Sequence, residues 1–169
     1  MALLKLETGT QNEILRTVSQ PVKKIDKSLV KFIEDMKETM EKSNGIGLAA
    51  PQVGKNIRVV VTKFNHDTKN ELILGMINPV ILSRSKEEEI GEEGCLSVPK
   101  KFDNVVRSKD ILLKYEDVKG RENMLKLSGL NARIIQHEID HLDGILFVDK
   151  IVDNAEAKLA LRKQDQLSI

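Results

Sequence analysis

The chain has 169 residues, 40% hydrophobic and 31% charged, with 27 basic against 26 acidic side chains and a formal net charge of +1. That size and composition support one globular domain, expected to span 1–169, rather than a disordered chain. The charge balance gives no electrostatic reason to expect nucleic acid or an anionic membrane as partner, and no apolar run reaches the length of a membrane span.

The N-terminus shows no signal-peptide pattern, so a cytoplasmic location is expected. Cys95, the single cysteine, excludes an internal disulfide and invites a metal or catalytic reading in a reducing compartment. A short helix is expected over 11–17, and Pro21 closes off its continuation. Residues 28–44 read as a longer helix, with Leu29, Ile33, Met36 and Met40 at helical spacing, Ser28 a candidate N-cap and Asn44-Gly45 a stop. A loop over 45–55 leads to a buried strand over 57–63. Residues 71–82 are strand material interrupted near Asn78-Pro79, and the acidic run 86–93 is expected as a solvated loop, with Glu93 a candidate partner behind the Gly94-Cys95 turn.

Residues 110–129 read as a hairpin turning at Val118-Lys119-Gly120. A helix over 130–142 ends at Asp143-Gly144, and a polar-faced helix is expected over 154–166. Helices at both ends with strands between point to an α+β fold.

The helix over 130–142 carries "QHEIDHLDG". Residues four apart share a helix face, so His137 and His141 can reach one metal ion, and Leu130 and Ile134 lie on that face. Ile135, Ile139 and Leu142 lie on nearly the opposite face, while Arg133, Gln136, Asp140 and Asp143 fill one polar sector. A helix apolar on two sides is mostly buried, so Glu138 needs a reason to be charged there. Taking a proton from a metal-activated water is such a reason.

Two histidines are too few, because a catalytic site of this type shows three protein ligands and an open position. The extended HExxHxxGxxH pattern fails at Phe147. Glu156 on the downstream helix is one candidate, and Cys95 in "EEGCLSVP" is another, its thiolate suiting a divalent transition metal. His66, in the polar loop "NHDTKN", reads as a surface residue. The loop "GIGLAAPQ" is not a phosphate loop; its two glycines allow close backbone approach, and Gln52 offers a neutral donor for a carbonyl oxygen. A zinc endopeptidase using Glu156 and a non-catalytic, metal-stabilised binding domain are the rival readings.

"GIGLAAPQ", "EGCLS" and "QHEIDHLDG", in this order and without internal substitution, resemble the three signature motifs of the peptide deformylases, bacterial type. The resemblance implies the deformylase α+β fold, with antiparallel strands around a central HExxH helix, N-terminal helices and a C-terminal helix. It implies removal of the formyl group from N-formylmethionyl nascent peptides, close to the ribosome. One divalent ion per chain would be held by Cys95, His137 and His141, natively Fe(II), with zinc, nickel or cobalt as replacements. Glu138 carries over as general base and acid, and Gln52 and the Leu96 N–H as oxyanion donors. Gly47 carries over as a backbone contact, beside Gly45. Leu130 and Ile134, with Ile46 from the glycine loop, would wall the methionine pocket. The stretch "KKFDNVVRSKD" carries no family motif beyond Arg107, which occupies a common arginine position.

Overall fold

The apolar run Val59-Val60-Val61 is buried on both of its faces, and this organises the molecule. Successive strand residues point to opposite sides. Val60 meets one cluster with Met76, Leu113 and Ile135, whereas Val59 and Val61 meet another with Ile33, Met36 and Met40. In this computed structural model, which describes residues 3–153 and Leu159, a sheet is thus sandwiched between two helices.

The chain runs α1 (Glu13–Arg16), α2 (Lys27–Lys42), β1 (Gly47–Ala49), a 3-10 turn (Ala50–Val53), β2 (Val59–Phe64), β3 (Leu72–Arg84), β4 (Glu88–Cys95) and β5 (Val98–Ser108). It continues through β6 (Asp110–Glu116), β7 (Glu122–Ser128), α3 (Gly129–Leu142) and a second 3-10 turn (Phe147–Lys150). One sheet has the order β1-β2-β3-β6-β7, and β4-β5 form a separate hairpin; each pairing between these strands is antiparallel. The expected α+β class holds, with α3 central. Ala132, Ile135, Ile139 and Leu142 of α3 bind it to the five-stranded sheet. Each large apolar side chain buried this way contributes about 1.5–3 kcal/mol. A third cluster, Leu15, Val98, Val105, Leu146 and Phe147, fastens the hairpin to α1 and to the segment that follows α3. No helix among the described residues is long and apolar enough to cross a membrane.

Several boundaries differ from the sequence expectation. The cap of helix α2 lies two residues before the expected Ser28: Asp26 accepts from the Leu29 N–H (2.9 Å) and also from the Ser28 hydroxyl (2.6 Å). At its other end the left-handed residue is Asn44 (φ 55°), not Gly45. The loop expected over 45–55 contains β1 and the 3-10 turn. The break at Asn78-Pro79 is a bulge inside a continuous β3, and Asn78 (φ 50°) uses its side-chain amide to tie Val22 to the sheet. The largest correction concerns the acidic run. It is strand β4, paired along its length with the unassigned stretch that forms β5, and Glu93 is buried. The hairpin over 110–129 forms as expected, with the Asp117 carboxylate accepting from the N–H groups of Lys119 and Arg121. The expected helix over 154–166 lies outside the described residues, Leu159 apart.

Candidate metal centre and active site

Every residue from 134 to 142 is buried, so α3 presents chemistry inside the protein rather than at its surface. Cys95 ends β4 just before a tight turn, which delivers its sulfur to the helix. The ligand atoms of Cys95, His137 and His141 lie within 4.8 Å of one another, and Cys95 Sγ is 3.2 Å from His141 Nε2. Glu156, the alternative third donor, lies outside the described residues. Phe147, where the extended motif would place a ligand, instead stacks on the His137 ring at 6.1 Å between centroids.

Glu93 sets the orientation of His137. Its Oε2 accepts from His137 Nδ1 at 2.8 Å, which fixes the ring orientation, keeps the Nδ1 proton in place and leaves Nε2 as the nitrogen that a metal would take. The same carboxylate takes a bidentate bond from Arg107 (2.9 and 3.0 Å), and Arg107 continues to Asp140, which also accepts from Lys150 at 2.8 Å. Asp140 was readable in the sequence only as part of a polar sector. All of that sector but Asp143, which pairs with Arg58, faces the β4–β5 hairpin: Arg133 reaches Glu93, and Gln136 bonds both the N–H and the C=O of Ser108. The available signal was a polar stripe on an otherwise buried helix facing a strand with its own Arg-Ser pair.

The electrostatics are those of a cluster arranged for a cation. Burial opposes charge on His137, yet the Cys95 sulfur and the Glu93 carboxylate beside it overcome this and raise the imidazole to about 10. Burial, with His137 nearby, holds His141 well below its ordinary value. Burial pushes Glu138 up to about 7, and its Oε2 has no hydrogen-bond partner among the described residues. A soft sulfur donor, two imidazoles and a carboxylate with one oxygen unpartnered among the described residues fit a divalent transition metal. His66 shows the contrasting surface case. Its two nitrogens face different carboxylates, Glu71 at 3.3 Å and Asp67 at 3.2 Å.

The glycine loop, the Gly94-Cys95-Leu96 turn and α3 enclose a cavity of about 430 Å³. Glu138, His137, Cys95 and Leu96 line it, as do all five expected substrate contacts: Gly45, Ile46, Gly47, Leu130 and Ile134. Ile134 is a buried wall, whereas Leu130 is 52% exposed and belongs to the rim. Gln52 is 2% exposed; its Oε1 accepts from the Ala49 N–H at 2.8 Å, and its Nε2 donates to Ser97 Oγ at 3.2 Å and approaches Cys95 Sγ at 3.5 Å. The acceptor end is thus anchored and the donor end is turned toward the cluster. Sequence reasoning missed Arg133, which also lines the cavity.

Residues 7–157 match the family model described as polypeptide deformylase. The peptide deformylase of Prochlorococcus marinus (strain NATL1A) is 45% identical over 91% of this chain and 76% of its own length. The crystal structure of peptide deformylase from Thermotoga maritima has a TM-score of 0.84 at 41% identity, covering 90% of this chain and all of that one. That of a peptide deformylase from Synechococcus elongatus, in complex with actinonin, has a TM-score of 0.82 at 39% identity, covering 96% of this chain and 86% of that one. With the three motifs converging on one buried cluster, and this similarity running along nearly its whole length, the chain belongs to the polypeptide deformylase family.

Proposed function

We propose that Cys95, His137 and His141 hold the divalent cation of a deformylase and that Glu138, Gln52 and Leu96 carry out formamide hydrolysis beside it. The protein is a metal-dependent hydrolase that removes the formyl group from the N-terminus of newly made peptides. The observation that carries the residue assignment is the buried Glu138, unpartnered at Oε2, in a cavity shared with two of the proposed ligands.

When bound, the cation supplies Lewis acidity, lowering the pKa of a water and polarising the formyl oxygen. Glu138 takes the proton of the attacking water as its oxygen bonds to the formyl carbon. Gln52 Nε2 and the Leu96 N–H donate to the oxygen on which negative charge develops. Glu138 then returns the proton to the leaving nitrogen as the C–N bond breaks, giving formate and a free α-amine. Ile134, Ile46 and Leu130 hold the methionine side chain, while Gly45 and Gly47 let the peptide backbone approach closely.

The native ion in this reading is Fe(II), with zinc, nickel and cobalt as replacements, since a Cys/His₂ set accepts them all. The family resemblance supports that assignment, and with it action on nascent formylmethionyl chains near the ribosome. A cytoplasmic location and a single domain over 1–169 belong to the same reading. The test is anaerobic reconstitution with iron and measurement of formate from formyl-Met-Ala-Ser, with Glu138→Gln as control. Formate release by the wild type alone is expected. Metal-loaded protein no faster than the control would overturn the assignment.

A further inference from the structure

Arg133 stands in the wall between the substrate cavity and the β4–β5 hairpin. Its side chain lines the cavity, but its guanidinium is committed to the hairpin. Nη2 donates to Glu89 O at 2.6 Å, and Nη1 donates to Glu93 Oε1 at 2.8 Å and to Val105 O at 2.9 Å. The hairpin makes room for it: a β-carbon at Gly91 would lie 3.0 Å from the guanidinium carbon. Glu93 then divides its oxygens. Oε1 receives Arg133 and Arg107, and Oε2 receives Arg107 and His137 Nδ1. With Oε1 engaged from two sides, Oε2 is kept aimed at the imidazole. Only a planar fork reaches a carboxylate and several carbonyls at once, so lysine is not equivalent here.

We propose that Arg133 is a positioning residue that, from the wall of the substrate cavity, fixes the Glu93 carboxylate orienting His137 and so links the first-residue pocket to the metal centre. The inference rests on His137 being a metal ligand. It goes beyond that assignment by giving a pocket-lining side chain control over the ligand's geometry.

The test compares Arg133→Leu, which keeps an apolar wall, with Arg133→Lys and with His137→Ala. Nickel affinity of the metal-free proteins is measured by chelator competition, visible bands are recorded with cobalt, and kinetics at saturating metal use formyl-Met-Ala-Ser. Arg133→Leu is expected to weaken nickel binding about tenfold, the lower end of what loss of an outer partner costs. Its cobalt bands should shift, and kcat should fall while KM stays near the wild-type value. Arg133→Lys should fall between, and it carries the same reading if the leucine variant does not fold. Wild-type nickel affinity and cobalt bands in the folded Arg133 variants, with nickel lost from His137→Ala, would overturn this inference and leave the ligand assignment standing. Nickel retained by His137→Ala would overturn both. A raised KM with unchanged nickel binding would make Arg133 only a pocket wall.

Discussion

A β-carbon on Gly47 would overlap the carboxylate of Glu138. The glycine in the first motif is therefore required by the glutamate in the third, across 91 positions of sequence. Gly47 lies in the short edge strand β1, where an alanine side chain costs the backbone nothing by itself. Gly47→Ala is expected to displace the carboxylate and lower kcat/KM about 10²-fold, the scale of an ångström-level misplacement of a reacting group. Its Tm should stay close to that of the wild type. Full activity in a folded Gly47→Ala protein would contradict the proposed place of Glu138.

Gln52 allows its two ends to be tested separately. Gln52→Glu keeps an acceptor for the Ala49 N–H but removes the amide donor turned toward Cys95. Loss of one oxyanion donor costs about 10²–10³ in kcat. Steady-state kinetics should show that drop with little change in KM, and an unchanged kcat would remove Gln52 from the mechanism.

That His137, His141, Glu138 and Ile134 share one side of a buried helix was legible from local spacing, whereas Cys95 was one of two candidates until the family resemblance singled it out, and the structure brings its sulfur to the two histidines. The two-sided burial of α3 was legible from helical periodicity. The β4–β5 hairpin was not. "KEEEIGEEG" has the composition of a solvated loop, and nothing within it reveals that Arg107 and Arg133 wait to pair with Glu93. Buried ion networks join residues far apart in sequence, so composition misplaces them at the surface. Leu130 erred the other way: helical phase put it on the metal face, but its position in the first turn of α3 leaves it half exposed.

Metal removal separates the ligand sets. Cys95→Ala should emerge from gel filtration with little bound metal, because two imidazoles alone make a weak site. Metal content measured on the eluted protein checks this. Retention of a full equivalent would favour the rival ligation by Glu156.

Ile134 is 4% exposed and lines the cavity. Ile134→Asp would set a charge against the substrate's apolar side chain, which costs several kcal/mol unless the charge is paired. A loss of kcat/KM on formyl-Met-Ala-Ser of about 10²-fold or more is expected. Wild-type kcat/KM in this variant would remove Ile134 from the pocket.

The pH profile follows from Glu138. Burial raises its carboxyl from 4.5 to about 7 in the metal-free protein, so at neutral pH it sits near half ionised. As a general base it must be ionised, and kcat/KM must therefore fall as pH drops through its pKa. A divalent cation at Cys95, His137 and His141 favours the ionised form and moves that pKa down from 7. The metal-loaded enzyme should thus show a single-proton acid limb in kcat/KM below pH 7. Rates on formyl-Met-Ala-Ser measured across pH 4–9 decide it, since a limb above 7 would mean that the cation does not act on this carboxylate.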